Sequence, residues 1–122
     1  MTDLSLNEYQ RLSEQTAEGI ADPHGVKQAE ASISDHQEKA LFLALALNGE
    51  AGEFGEKIKK WVREDDDEYL DGARTELGDV LWYMAQLATL LDVELGDVGE
   101  DNLDKLLDRQ ERGVLHDEGD DR

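Results

Sequence analysis

Two pairs of acids, Glu50 with Glu53 and Glu76 with Asp79, stand three residues apart beside apolar runs, in "LALALNGEAGEFGEKIKKW" and "ELGDVLWYMAQLATLL". With 31 acidic side chains among 122 residues, that spacing recurs by chance, so the surroundings must discriminate. On a helix advancing about 100° per residue, Glu53 falls about 60° behind Glu50. Leu43, Leu47, Ala51, Phe54 and Ile58 occupy the arc on the other side. Asp79 bears the same relation to Glu76, with Leu77, Val80, Met84, Leu87 and Leu91 as the adjoining stripe. If the two stripes pack on each other, four carboxylates converge at the rim of one groove. Glu56 lies further round and is expected to face solvent.

Four carboxylates brought together raise one another's pKa and oppose folding unless something offsets their charge. A hard divalent cation does so, and oxygen-only ligation suits Mg²⁺ or Mn²⁺ rather than zinc. A di-iron bundle site expects Glu-x-x-His pairs, and none of His24, His36 or His116 follows a glutamate at that spacing. Magnesium in turn commonly accompanies substrate phosphates. In "DNLDKLLDRQERG", Asn102, Lys105 and Arg109 share one helical stripe, in a chain with only 12 basic residues. They form a candidate phosphate clamp; the plainer reading is ordinary ion pairing with neighbours such as Asp101 and Asp108. Tyr83 shares the carboxylate face and is the aromatic best placed to meet a base. Trp61 and Trp82 read as core or interface residues, with Trp82 turned toward a subunit contact, and His36 as a residue at a helix start.

The elements that must position these groups are helical. Ser5-Leu-Asn-Glu8 resembles a capping box and predicts a first helix to about Glu18. Residues 19–35, with Pro23 and Gly25, read as a connection. A long second helix is expected from about His36 to Arg63, ending at the solvated turn "REDDDE". The third runs from about Tyr69 to Leu91, "LDVELGD" turns the chain, and the fourth runs from about Leu95 to Arg112. Residues 114–122 read as an acidic polar tail. The expected architecture is all-α: a small four-helix-type bundle, one domain over residues 1–122 with its core at about 36–113. Gly52 and Gly78 fall on the backs of their helices, where another helix could approach closely, across a subunit interface for example.

Composition narrows the partners. The formal charge of −19 excludes bulk attraction to nucleic acid phosphates. It suits divalent cations, basic partners or a salt-rich, halophilic cytoplasm. With no cysteine, disulfides, thiolate metal sites and cysteine nucleophiles are excluded. The longest apolar run, Ala40 to Leu47, is too short to cross a bilayer, and the start of the chain lacks a signal pattern, so a cytoplasmic location is expected.

"GEAGEFGEKIKK", "ELGDVLWYMAQLA" and "NLDKLLDRQERGV", in that order, resemble the single-domain MazG-like nucleotide pyrophosphohydrolases of the all-α NTP pyrophosphatase superfamily, over about His36 to Leu115. The resemblance implies hydrolysis of a nucleoside triphosphate to monophosphate and pyrophosphate with Mg²⁺. It implies metal ligation by Glu50, Glu53, Glu76 and Asp79, and phosphate binding by Lys105, Arg109 and Asn102. It also places Tyr83 and Lys57 near the substrate, in a homodimer or homotetramer with sites at subunit contacts. Many relatives carry two adjacent glutamates in the first motif; here Asn48-Gly49 precedes a single Glu50, which leaves one metal or two open. Chemically, the metal would activate a water for in-line attack on the α-phosphate, with Glu53 as first choice to take its proton. A phosphoribosyl-ATP or dUTP/dCTP-specific hydrolase shares this chemistry. A non-catalytic acidic interaction protein and a purely structural helical oligomer stand as alternatives from other classes.

Overall fold

Local capping chemistry decides where the helices begin. The computed structural model describes residues 3–17 and 34–113; most of the expected 19–35 connection, up to residue 33, and the 114–122 tail lie outside the described residues. Helix α1, Leu6–Glu14, starts with the predicted capping box: Glu8 N–H donates to Ser5 Oγ at 3.1 Å, and Ser5 N–H to Glu8 Oε2 at 3.2 Å. It stops short of the expected Glu18. Ser13 Oγ donates to the Gln10 carbonyl and Thr16 Oγ1 to the Ser13 carbonyl, so hydroxyls compete for the helix's own acceptors.

Helix α2, Asp35–Glu64, opens on a second capping box, Ser34 with Gln37. It closes on Asp65, held left-handed at φ 51° with its N–H on the Trp61 carbonyl at 2.8 Å. Asp66 then caps α3, Asp67–Leu90, by accepting from Glu68 N–H at 3.0 Å. Two linking residues leave α3 no course but back along α2, and the pair forms the main packing unit. Helix α4, Leu95–Arg112, follows a short turn through Asp92 (φ 58°) and ends at Gly113, whose φ of 74° favours glycine. Among the described residues the fold is all-α, and no helix is long and apolar enough to cross a membrane.

The interior is thin. Leu43, Ala73, Ala85, Ala88 and Leu95 are its buried apolar residues, with Tyr9 and Leu81 against the Ala85–Ala88–Leu95 cluster. Much of the α1 contact is instead polar and paired. Gln86 Nε2 donates to Ser13 Oγ at 2.9 Å, Trp82 Nε1 to Thr16 Oγ1 at 2.7 Å, and Gln10 Nε2 to the Val93 carbonyl at 2.9 Å. Buried polar groups satisfied in this way hold one geometry, because any slip leaves a donor unpaired.

The structure corrects the expected facing of α3. Leu77, Met84 and Leu91, read as core, are exposed. Gly72 of α3 instead lies against the Lys57 stem of α2, and Trp61 Nε1 of α2 reaches Asp67 at 3.3 Å. The seam between the helices therefore runs along the carboxylate edge of each. α3 has two apolar flanks, and Leu81, Ala85 and Ala88 serve α1 and α4, which leaves the Leu77–Met84–Leu91 flank exposed among the described residues.

Candidate active site

The hairpin register brings Glu50 of α2 opposite Glu76 and Asp79 of α3. One carboxylate oxygen from each of the three lies within 4.8 Å of the others. Glu50 and Glu76 are half-buried and Asp79 is exposed, so the cluster opens from the seam toward solvent. Glu50 Oε2 is shut off from solvent and has no hydrogen-bond partner. Its carboxyl is pushed up to about 7, first by burial, then by a hydrogen bond shared with Glu76, then by the charges of Glu53, Asp79 and Glu76. Glu53 is exposed and outside the three-oxygen cluster, yet near enough for its charge to act on Glu50.

An orphaned, buried carboxylate oxygen facing two more carboxylates fits a hard divalent cation. The donors are all oxygen, and the charge that disfavours the empty cluster is what such an ion neutralises. Glu50, Glu76 and Asp79 would hold it.

The other expected residues are placed unequally. Tyr83, one turn beyond Asp79, is half-buried, and burial with the charges of Glu50 and Asp79 raises its phenol. Its ring meets Trp82 edge to face, centroids 5.0 Å apart. Lys57 lies further down the seam, half-buried, its stem against Gly72. Glu56 is exposed and bridges to Lys59 at 3.2 Å, in accord with a solvent-facing position. Asn102 and Lys105 are exposed on α4, while Arg109 is buried and already engaged within the chain. α4 packs on α1 and, to a lesser extent, α3, so these three are not gathered at the carboxylates by α2 contacts.

Trp82, expected at a subunit contact, is half-buried; within the chain it donates to Thr16 and lines a cavity of about 210 Å³ with Lys39, Phe42, Leu43, Gln86 and Leu90. Gly52 and Gly78 have open space where a side chain would start, so no described helix of this chain approaches them. Tyr9 of α1 was not anticipated. Its phenol is raised by burial and by the charge of Asp79, and its ring packs against the Ala85–Ala88–Leu95 cluster. A tyrosine outside every motif carries no sequence signal for that position.

The chain is a member of the MazG nucleotide pyrophosphohydrolase domain family, whose sequence model matches residues 38–114. It is also 46% identical over 92 residues to the Gene 37 protein of Mycobacterium phage L5, a match covering 72% of this chain and 81% of that protein. No solved structure matches the chain significantly.

Proposed function

We propose that this protein hydrolyses a nucleoside triphosphate between its α- and β-phosphates, with Mg²⁺ or Mn²⁺ held by Glu50, Glu53, Glu76 and Asp79. The observation that carries the reading is Glu50 Oε2, buried and unpaired against two other carboxylates. Such a bound cation supplies a more acidic water and a polarised α-phosphoryl group. The oxygen of a water molecule bonds to the α-phosphorus, the bond to the β-phosphate bridging oxygen breaks, and pyrophosphate leaves. Glu53, the one exposed glutamate of the set lying outside the cluster, takes the water's proton.

Lys105 and Asn102 bind the β- and γ-phosphates, with Arg109 at the same stripe, and offset charge on the leaving group. Lys57 adds a cation along the seam. Tyr83 flanks the α-phosphate end, and the cavity beside Trp82, further along the same seam, receives the nucleoside. A second copy of the chain covers the exposed Leu77–Met84–Leu91 flank, giving a homodimer or a pair of dimers.

Incubation with Mg²⁺ and a panel of NTPs and dNTPs, dUTP and dCTP included, tests the reading by pyrophosphate release at low and high salt. Release from at least one nucleotide is expected. No release from any of them under either condition refutes it.

A further inference from the structure

Helix α4 begins without a cap of its own. Glu94 occupies the N-cap position and makes no side-chain hydrogen bond to the helix. The first amides of a helix lack intrahelical partners, and here a distant helix supplies them. Leu95 N–H donates to Gln10 Oε1 at 2.7 Å, and Gly96 N–H donates to Asn7 Oδ1 at 2.7 Å. The same two side chains also hold the chain just before the helix. Gln10 Nε2 donates to the Val93 carbonyl and to Thr89 Oγ1, and Asn7 Nδ2 donates to Glu94 Oε2 at 3.0 Å. Gln10 is buried, and a Cβ on Gly96 would stand 2.6 Å from Asn7 Oδ1, so the junction admits glycine for close approach.

If capping the start of α4 were all that was needed, a serine or aspartate at position 94 would do it locally. Capping from α1 does something a local cap cannot: it ties the place and tilt of α4 to another element. That element is itself pinned to α3 through Ser13–Gln86 and, just past its end, Thr16–Trp82. The hydrogen bonds from α1 meet α4 at its first turn, and Gly99 one turn on lies against Leu6, while Arg109 near the far end is buried and engaged as well. From Gly96 to the exposed Lys105 a helix extends about 14 Å, so a tilt of about 10° at its root moves that residue by about 2 Å. A misplacement of about 1 Å can cost about a hundredfold in a positioned reaction.

We infer that α1 is a bracket for α4, with Asn7 and Gln10 as positioning residues for the exposed phosphate-binding pair Asn102 and Lys105; this rests on the function proposed above. It gives residues 6–14, which lie outside the matched 38–114 stretch, a part in substrate binding.

The test compares wild type with Asn7→Ala, Asn7→Asp and the Asn7→Ala/Gln10→Ala double variant in the full chain. In the double variant KM for the preferred nucleotide and the inhibition constant of inorganic pyrophosphate should each rise about tenfold or more, as misplacement of the clamp demands. Mn²⁺ affinity, read by electron paramagnetic resonance, should stay unchanged because the carboxylates do not move. Asn7→Asp keeps the oxygen acceptor for Gly96 but loses the donor to Glu94 and faces its carboxylate, so its KM should lie between those of wild type and Asn7→Ala. Adding Glu94→Ser to the double variant supplies a local cap; it should recover the melting temperature while KM stays high. Should the double variant not fold, Asn7→Ala carries the test with Gln10 in place.

Because the chain lacks cysteine, spin labels at Asp71→Cys and Gln110→Cys can report the α3–α4 distance independently of activity. A shifted or broadened distance in the Asn7→Ala variants is expected. An unchanged distance, an unchanged KM beside a lowered melting temperature, or full recovery of KM by Glu94→Ser would each overturn the inference. Loss of hydrolysis in the wild type would refute the proposed function alone, since the distance measurement still reads the bracket.

Discussion

Glu50 and Glu76 meet across the α2–α3 seam with carboxylate oxygens within 4.8 Å, and one oxygen of Glu50 has neither water access nor a hydrogen-bond partner. The fold holds this arrangement through a tight hairpin whose other contacts, Trp61 with Asp67 and Lys57 with Gly72, fix the same register. Its electrostatic cost leads directly to a pH dependence.

Folded Glu50 titrates near 7, against an ordinary value of 4.5. Between those values the folded chain keeps a proton that the unfolded chain has lost. Stability without metal should therefore fall as pH rises from about 4.5 to about 7 and level off above. Thermal melts in chelator at pH 5 and pH 8 check the direction. Added Mg²⁺ should raise the melting temperature more at pH 8, where no proton competes for the site. Glu50→Gln should flatten the pH dependence; a slope that persists unchanged would assign it to other acids.

Asp79→Asn should abolish nucleotide hydrolysis while leaving the circular dichroism spectrum intact. Asp79 is exposed at the mouth of the cluster, so losing its charge removes a ligand and relieves repulsion without opening a cavity. Glu50→Gln should likewise lower activity by about a hundredfold or more, yet raise metal-free stability at pH 8, because an amide carries no charge into the seam. Activity that survives Asp79→Asn would remove the carboxylate cluster from the chemistry.

Much of this was legible in residue order, for reasons that are local. Ser5 with Glu8, and Gly113 after Arg112, are chemical punctuation, and the second and fourth helices fall within a residue or so of expectation. The acid pairs were visible because helical spacing fixes which residues share a face. Which face meets a neighbour is not local. α3 carries two apolar flanks, and only the three-dimensional packing shows that Leu81, Ala85 and Ala88 are used internally while Leu77 and Met84 are not. The part played by Asn7 and Gln10 was illegible for the same reason, since the α4 amides they cap lie 89 and 85 residues away.

Gly72 separates stability from binding. A Cβ there would stand 3.3 Å from Lys57 Cδ, close enough to displace a flexible stem by a few tenths of an ångström. Alanine gains about 1 kcal/mol over glycine in a helix interior, and a flexible lysine yields at small cost. Gly72→Ala should therefore raise the melting temperature by about 4 °C. It should also raise KM severalfold if Lys57 contacts the substrate's phosphates. A lowered melting temperature would mean that the Lys57 stem is held rigidly.

The last prediction concerns the flank that the described chain leaves uncovered. Leu77, Met84 and Leu91 recur at seven-residue spacing, which drifts only about 20° per repeat and so lines one seam along α3. Leu77 and Met84 border a shallow apolar groove with Gly78, Val80, Leu81 and Arg74. A chain of net charge −19 repels its own copies at long range, so association needs a contact that excludes water over apolar area. This flank offers one, and Gly78 at the edge of the groove leaves room for a close neighbour. Light scattering on wild type should give a multiple of 13.7 kDa. Met84→Glu, which places a charge at the seam's middle, should reduce the mass toward 13.7 kDa with helical content retained. A wild-type monomer would refute the assembly, and an unchanged multiple in the variant would place the interface on another face.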